Sequence, residues 1–159
     1  MKPSTLTITS MTTAEEAEAF RTLNEEWISH FFTIEESDRK TLNGPFAAIV
    51  DRGGDVLIVR DGGEIIGCVA LVRSSDDVFE LSKMTVLPAV RGRGVGRQLI
   101  EAAIARAREL GATTLFLGSN TRLATAVHLY EAAGFQHVSS DQIPLPPYAR
   151  ADVFMKMAL

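Results

Sequence analysis

The chain has a single cysteine, Cys68, which excludes an internal disulfide framework. With only His30, His128 and His137 beside it, a structural zinc site lacks ligands, and no metal is expected. No apolar run reaches the ~18 residues needed to cross a bilayer, so no membrane partner is expected. The first ten residues, MKPSTLTITS, lack the apolar stretch of a secretory signal, and the expected location is cytoplasmic. Basic excess is missing too. Sixteen Lys and Arg face 20 Asp and Glu, a net charge of −4. Counterion release then offers little for nucleic-acid binding, and no such partner is expected. Repeats, low-complexity tracts and linkers are absent. What remains is ordinary: 159 residues, 46% hydrophobic and 23% charged. That suffices for one domain with its own core, spanning 1–159.

The acidity is concentrated. Residues 11–40 hold eight acids (Glu15, Glu16, Glu18, Glu25, Glu26, Glu35, Glu36, Asp38) against Arg21, Arg39 and Lys40. Two readings stand: a solvated helix face with acids near helix starts, or an acidic rim that attracts a cationic substrate.

Local patterns change along the chain. Leu6 to Thr9 alternates like a short strand. Thr13-Ala14-Glu15-Glu16 is a capping box, followed by Ala17, Phe20, Asn24, Trp27 and Phe31 at helical steps. Thr33-Ile34-Glu35-Glu36 is a second box, predicting a helix to about Leu42 that Asn43-Gly44-Pro45 stops. A short helical turn is expected between Phe46 and Asp51. Val56–Val59 and Ile65–Val72 read as strands joined by Asp61-Gly62-Gly63-Glu64, a tight hairpin. Val78–Val86 closes an antiparallel meander. A helix from about Gly94 to Leu110, a strand over 113–117, a helix through Leu123, Ala126, Val127 and Tyr130, and strands at 135–138 and 152–157 follow. Pro144, Pro146 and Pro147 mark a loop. The expected fold is α/β, with a mixed, mainly antiparallel central sheet and flanking helices.

Arg91-Gly92-Arg93-Gly94-Val95-Gly96-Arg97 lies between a strand and a helix. Glycines admit close backbone approach. A helix start offers unpaired N–H groups and the positive end of the dipole. The arginines add charge-assisted donors. The pattern suits a phosphate or pyrophosphate; the plainer reading is a tight turn with solvated arginines. A Walker loop fails, because Arg97-Gln98 stands where Lys-Ser/Thr is required. A dinucleotide fingerprint is weak, because the next strand ends in Gly118-Ser119-Asn120 without an acid for a ribose.

Arg91-x-x-Gly94-x-Gly96, following Met84-Thr85-Val86-Leu87-Pro88, resembles the acetyl-CoA loop of the GNAT N-acetyltransferase family. Asn120 and Leu129-Tyr130-Glu131-Ala132-Ala133-Gly134-Phe135 resemble that family's second conserved block. The resemblance covers about 56–138. It implies the GNAT-like acyl-CoA N-acyltransferase fold, with acetyl-CoA as cofactor. It also implies transfer of the acetyl group to a primary amine of a small molecule or a peptide, by direct attack in a ternary complex. The alternative is a catalytically silent acyl-CoA-binding sensor or interaction module. A homodimer is a common form in such families.

The resemblance assigns the pyrophosphate to the backbone of Arg91, Gly92, Arg93, Gly94, Val95 and Gly96, with Arg97 beside them. It lays the pantetheine arm along Met84, Thr85 and Val86, between strands splayed apart, with Asn120 at the exit of the second. An amine with a pKa near ~10.4 must lose a proton before attack, and a departing thiolate gains from an acid. The resemblance names Tyr130 as that acid, a backbone N–H at Val86 as oxyanion donor, and Glu80 as base through water. The rival readings are Tyr130 as a core residue with a satisfied hydroxyl, and Glu80 as an exposed cross-strand partner. Lys83 reads as a solvated partner. For the acceptor, the candidates are Trp27, Phe31, Phe32, Glu35 and Asp38 from the first helices, and Tyr148, Arg150 and Asp152 from the late loop. Aromatics beside carboxylates would suit an amine on an apolar body. Trp27 and Phe31 could instead simply pack the first helix onto the sheet.

Overall fold

The computed structural model describes residues 6–144 and 149–159. Seven strands form one sheet: β1 (Leu6–Ser10), β2 (Asp55–Asp61), β3 (Glu64–Arg73), β4 (Val78–Val86), β5 (Thr114–Ser119), β6 (Gln136–Val138) and β7 (Val153–Ala158). Their order is β1-β2-β3-β4-β5-β7-β6. Only β4 and β5 run parallel; every other neighbouring pair is antiparallel. The mixed, mainly antiparallel expectation holds, as does the tight hairpin, where Gly62 and Gly63 take φ of +59° and +96°.

Helices cover both faces. α1 (Ala14–Phe31), α2 (Glu36–Asn43) and α3 (Pro45–Ala48) pack on one side, with Phe20, Ile28, Leu42, Val56, Ile58 and Cys68 in their core. α4 (Val95–Glu109) and α5 (Ala124–Ala133) pack on the other, over Leu57, Val69, Phe79, Leu99, Leu115 and Met155. The first capping box forms as expected: Thr13 Oγ1 accepts from Glu16 N–H at 3.1 Å, and Glu16 Oε1 accepts from Thr13 N–H at 3.1 Å. The second is displaced. α2 begins at Glu36, and the Asp38 carboxylate, not a Thr33 hydroxyl, caps it by accepting Glu35 N–H at 2.9 Å.

Two irregularities in the middle of the sheet shape the functional face. β4 and β5 pair only through Val78–Glu80 and Thr114–Phe116. Beyond Glu80 the strands part, while β5 stays paired with β7 to Ser119. The Leu81–Val86 half of β4 therefore has no strand neighbour on that side among the described residues. Within it, Cys68 faces Thr85 and Ala70 faces Ser82, so Lys83 and Met84 stand opposite Val69 alone. That is a bulge, and Lys83 sits in it at φ +54°. A non-glycine residue in the left-handed region turns its side chain out of the strand's alternation.

Candidate active site

The fork between β4 and β5 opens into a cleft of about 370 Å³, a size suited to a small-molecule ligand. β4 supplies one wall with Lys83, Met84, Thr85 and Val86; β5 supplies Gly118, Ser119 and Asn120; α5 supplies Leu129 and Tyr130. Arg91, Gly92 and Gly96 close one end, and Trp27, Phe31, Phe32, Arg122 and Arg150 the other.

At the glycine end the chain leaves β4 and turns into α4 through Gly94, the N-cap, at φ +80°. Gly92 lies at φ +82°. Nothing stands within 4 Å of where a Cβ on either would project. The N–H groups of Gly92, Arg93 and Gly94 bond to no described residue, and those of Val95, Gly96 and Arg97 belong to the first helical turn, which has no internal acceptors for them. This donor set, at the positive end of a 15-residue helix, fits a pyrophosphate. The third glycine differs in kind: a Cβ on Gly96 would meet Leu129 Cδ1 at 3.1 Å and Met84 Cε at 3.7 Å, so its bareness lets α4 seat against α5 and β4. The three arginines part company as well. Arg91 Nε donates to Val86 O at 3.2 Å beside the cleft. Arg93 reaches toward Asp61, and Arg97 lies along its own helix against Glu101 at 3.1 Å. Neither of these two side chains lines the cleft, and Val95 is buried in the core.

Along β4 the backbone is oriented by its partner. Leu87 N–H donates to Ile66 O at 2.9 Å. The preceding pair, Val86 opposite Gly67, is then a non-hydrogen-bonded one. Val86 N–H consequently points away from β3, toward the cleft, the same side on which its carbonyl meets Arg91. Across from it, Tyr130 is buried and lines the cleft; its hydroxyl lies 4.0 Å from Met84 Sδ, and its ring meets Phe135 edge-on at 5.9 Å. Burial pushes the phenol up to about 12, so it keeps its proton at neutral pH. Tyr130 is thus buried with the core and lines the cleft at once. Glu80 lies elsewhere. It is buried, not an exposed cross-strand residue, and sits at the closed end of the fork outside the cleft lining, where β5 still covers it.

The opposite end overturns one expectation. Lys83 is no solvated partner: its side chain is 5% exposed and Asp38's is 0%. Lys83 Nζ donates to Asp38 Oδ1 at 2.7 Å. Arg150 grips the same carboxylate through both Nη atoms at 2.8 Å and approaches Glu35 at 3.5 Å. Burial pushes Asp38's carboxyl up, but the Arg150 hydrogen bonds and the Lys83 charge outweigh it and hold the group well below the usual carboxylate range. Burial lowers Lys83, against the opposing pull of Asp38. Glu35 also accepts from Ala149 N–H at 3.1 Å, and Asp152 accepts from Thr121 N–H at 2.9 Å. The carboxylates expected to greet an acceptor are therefore occupied within the fold. Asn120 is occupied too, donating to Arg150 O at 2.6 Å and accepting from Arg122 N–H at 2.8 Å. Trp27 and Phe31 are partly buried and line the cleft. Tyr148 lies outside the described residues. Sequence reasoning missed Arg122, whose exposed position after a strand carries no local signal.

Comparison with known proteins agrees with this geometry. Residues 15–135 match the acetyltransferase (GNAT) family. The N-acetyltransferase YjgM of Escherichia coli K12 is 38% identical over 84 residues, covering 51% of this chain and 50% of that protein. The chain thus spans about half the length of the curated relatives it first matches. In fold, a GNAT-family acetyltransferase from Staphylococcus aureus Mu50 superposes with a TM-score of 0.87 at 18% identity, over 96% of this chain and 98% of that one. The acetyltransferase yncA of Salmonella typhimurium, solved with its cofactor acetyl-CoA, superposes at 0.74 with 23% identity, over 97% and 94%. The chain belongs to the acetyltransferase (GNAT) family.

Proposed function

We propose that this chain, as one domain, transfers an acetyl group from acetyl-CoA to a primary amine, with both substrates bound in the β4–β5 fork. The observation that carries the reading is the run of unsatisfied backbone donors at Gly92–Arg97 opening onto a cleft that also holds an unpaired half-strand and a protonated tyrosine.

The loop N–H groups and Arg91 hold the pyrophosphate, and Met84, Thr85 and Val86 offer backbone edges to an extended arm, as a strand edge does to an added strand. Bound acetyl-CoA supplies an activated thioester carbonyl. Val86 N–H serves as the donor for a carbonyl oxygen that gains negative charge, a role in which one donor contributes about 10²- to 10³-fold in rate. Tyr130 holds a proton at its hydroxyl and gives it to the departing sulfur. Its raised pKa keeps that proton in place through the working pH range. Glu80 removes the amine's proton only through a water path, because it lies outside the cleft lining.

Isothermal titration with acetyl-CoA tests the binding half, and thiol release against a panel of amines tests the chemistry. Absence of binding at sub-millimolar acetyl-CoA removes the reading. Tight binding without thiol release on any amine replaces it with an acyl-CoA-binding sensor.

A further inference from the structure

The end of the cleft away from the glycine loop is made of aromatic rings and cations. Trp27, Phe31 and Phe32 come from the last turn of α1 and its exit. Lys83, Arg122 and Arg150 add positive charge, and no Asp or Glu stands among the described residues that line the cleft. Of the nearby carboxylates, Glu35 stands half-buried in the adjoining recess that Phe31, Phe32, Arg122 and Arg150 also line, where it approaches Arg150 at 3.5 Å and accepts from Ala149 N–H at 3.1 Å. Asp38 is fully buried, and Arg150 and Lys83 share it.

Arg122 is different from those two. It sits on the turn between β5 and α5, and two contacts from α1's exit place it. Its Nη1 donates to Phe31 O at 2.7 Å, and its guanidinium carbon lies 5.3 Å from the Phe32 ring centroid. Its Nε and Nη2 bond to no described residue, and no carboxylate among the described residues pairs with it. Arg150 approaches the same Phe32 ring at 5.9 Å, and the Trp27 ring at 5.9 Å. Two guanidinium groups thus face one ring on one wall. Asp38 and Glu35 offset the charges of Lys83 and Arg150, whereas the charge of Arg122 meets no carboxylate partner among the described residues and favours an anion beside it. A planar fork with donors to spare matches a carboxylate in two-point fashion.

We infer that the acceptor amine carries a carboxylate, and that Arg122 receives it while the Trp27–Phe32 rings take an apolar body. The inference rests on the acetyl-transfer reading above and adds no chemical step to it. It reverses the idea of an acidic rim, since a polycation would meet like charge at this wall.

The test is titration of matched pairs into the protein saturated with coenzyme A: phenylalanine against phenethylamine and phenylalaninamide, and leucine against 3-methylbutylamine. At least one carboxylate-bearing amine should bind about tenfold or more tightly than its decarboxylated partner, the range expected of a charged hydrogen bond at a half-open site. Arg122→Gln should erase that ratio while leaving the decarboxylated amine unchanged, and Arg122→Lys should restore part of it. Equal or tighter binding of the decarboxylated amine in every pair overturns the inference. So does a panel in which no carboxylate-bearing amine binds, or an Arg122→Gln variant that keeps the full ratio. Failure of acetyl-CoA itself to bind is a separate result, and strikes the transfer reading instead.

Discussion

Lys83 and Asp38, 45 positions apart, meet at 2.7 Å inside the protein, one on the bulge of β4 and the other in the first turn of α2. Arg150 closes the group from the far end of the chain. The trio ties α2, β4 and the segment before β7 into one wall of the cleft. Removing a single member leaves buried charge uncompensated.

Asp38→Asn should therefore destabilise the protein by about 3–5 kcal/mol, because Lys83 and Arg150 would then face each other without their shared anion. Urea unfolding at neutral pH measures it. Asp38→Asn with Lys83→Met should cost less than Asp38→Asn alone, since it removes one of the stranded cations. A double variant as unstable as the sum of the two single ones would show that the pair is not coupled.

Acid should weaken the same wall. In the unfolded chain Asp38 takes up its proton near its ordinary value of 3.8, whereas in the folded protein Arg150 and Lys83 keep it ionised to lower pH. The stabilisation is complete above about pH 4 to 5 and is lost progressively as pH falls below it. Urea midpoints measured at pH 7, 4 and 3 should drop across that interval, and the drop should shrink in Asp38→Asn.

Tyr130→Phe should lower kcat by about 10²-fold or more and leave acetyl-CoA affinity within about twofold. Among the described residues the hydroxyl has only a 4.0 Å contact with Met84 Sδ to lose, so stability should barely change. Burial places the phenol at about 12, so any alkaline limb in the rate below pH 10 belongs to another group. A pH–rate profile of the variant that loses such a limb would contradict this.

Gly94→Val should weaken acetyl-CoA binding by tenfold or more. The residue lies at φ +80°, where a β-branched side chain costs about 1–2 kcal/mol. No protein atom stands in the way of its Cβ. The added bulk would occupy the space in front of the loop's N–H groups. Titration with acetyl-CoA, with thermal unfolding alongside, separates lost affinity from lost fold. Unchanged affinity would place the phosphates elsewhere.

Much of this protein is written in short-range signals. The Thr13 capping box, the Gly62-Gly63 hairpin, the helical stripe of α4 and the Arg91–Gly96 loop each depend on residues within a few positions of one another. Backbone preference and periodicity act at that distance, so elements, sheet class and the glycine loop at the start of α4 were all legible. Tyr130 was legible as well, through the block around it, although only the fold shows that it is buried and in the cleft together. The wall of the cleft away from the glycine loop was decided by tertiary structure. Lys83 looks like any strand lysine until the bulge turns it inward. Asp38 looks like a solvated helix acid until Lys83 and Arg150 arrive. Arg122 has no meaning until Phe31 and Phe32, some 90 positions away, come to hold it. Charge pairing needs two groups in one place, and a chain's local order does not say which distant groups those will be. The register of β4 and the parting of β5 do.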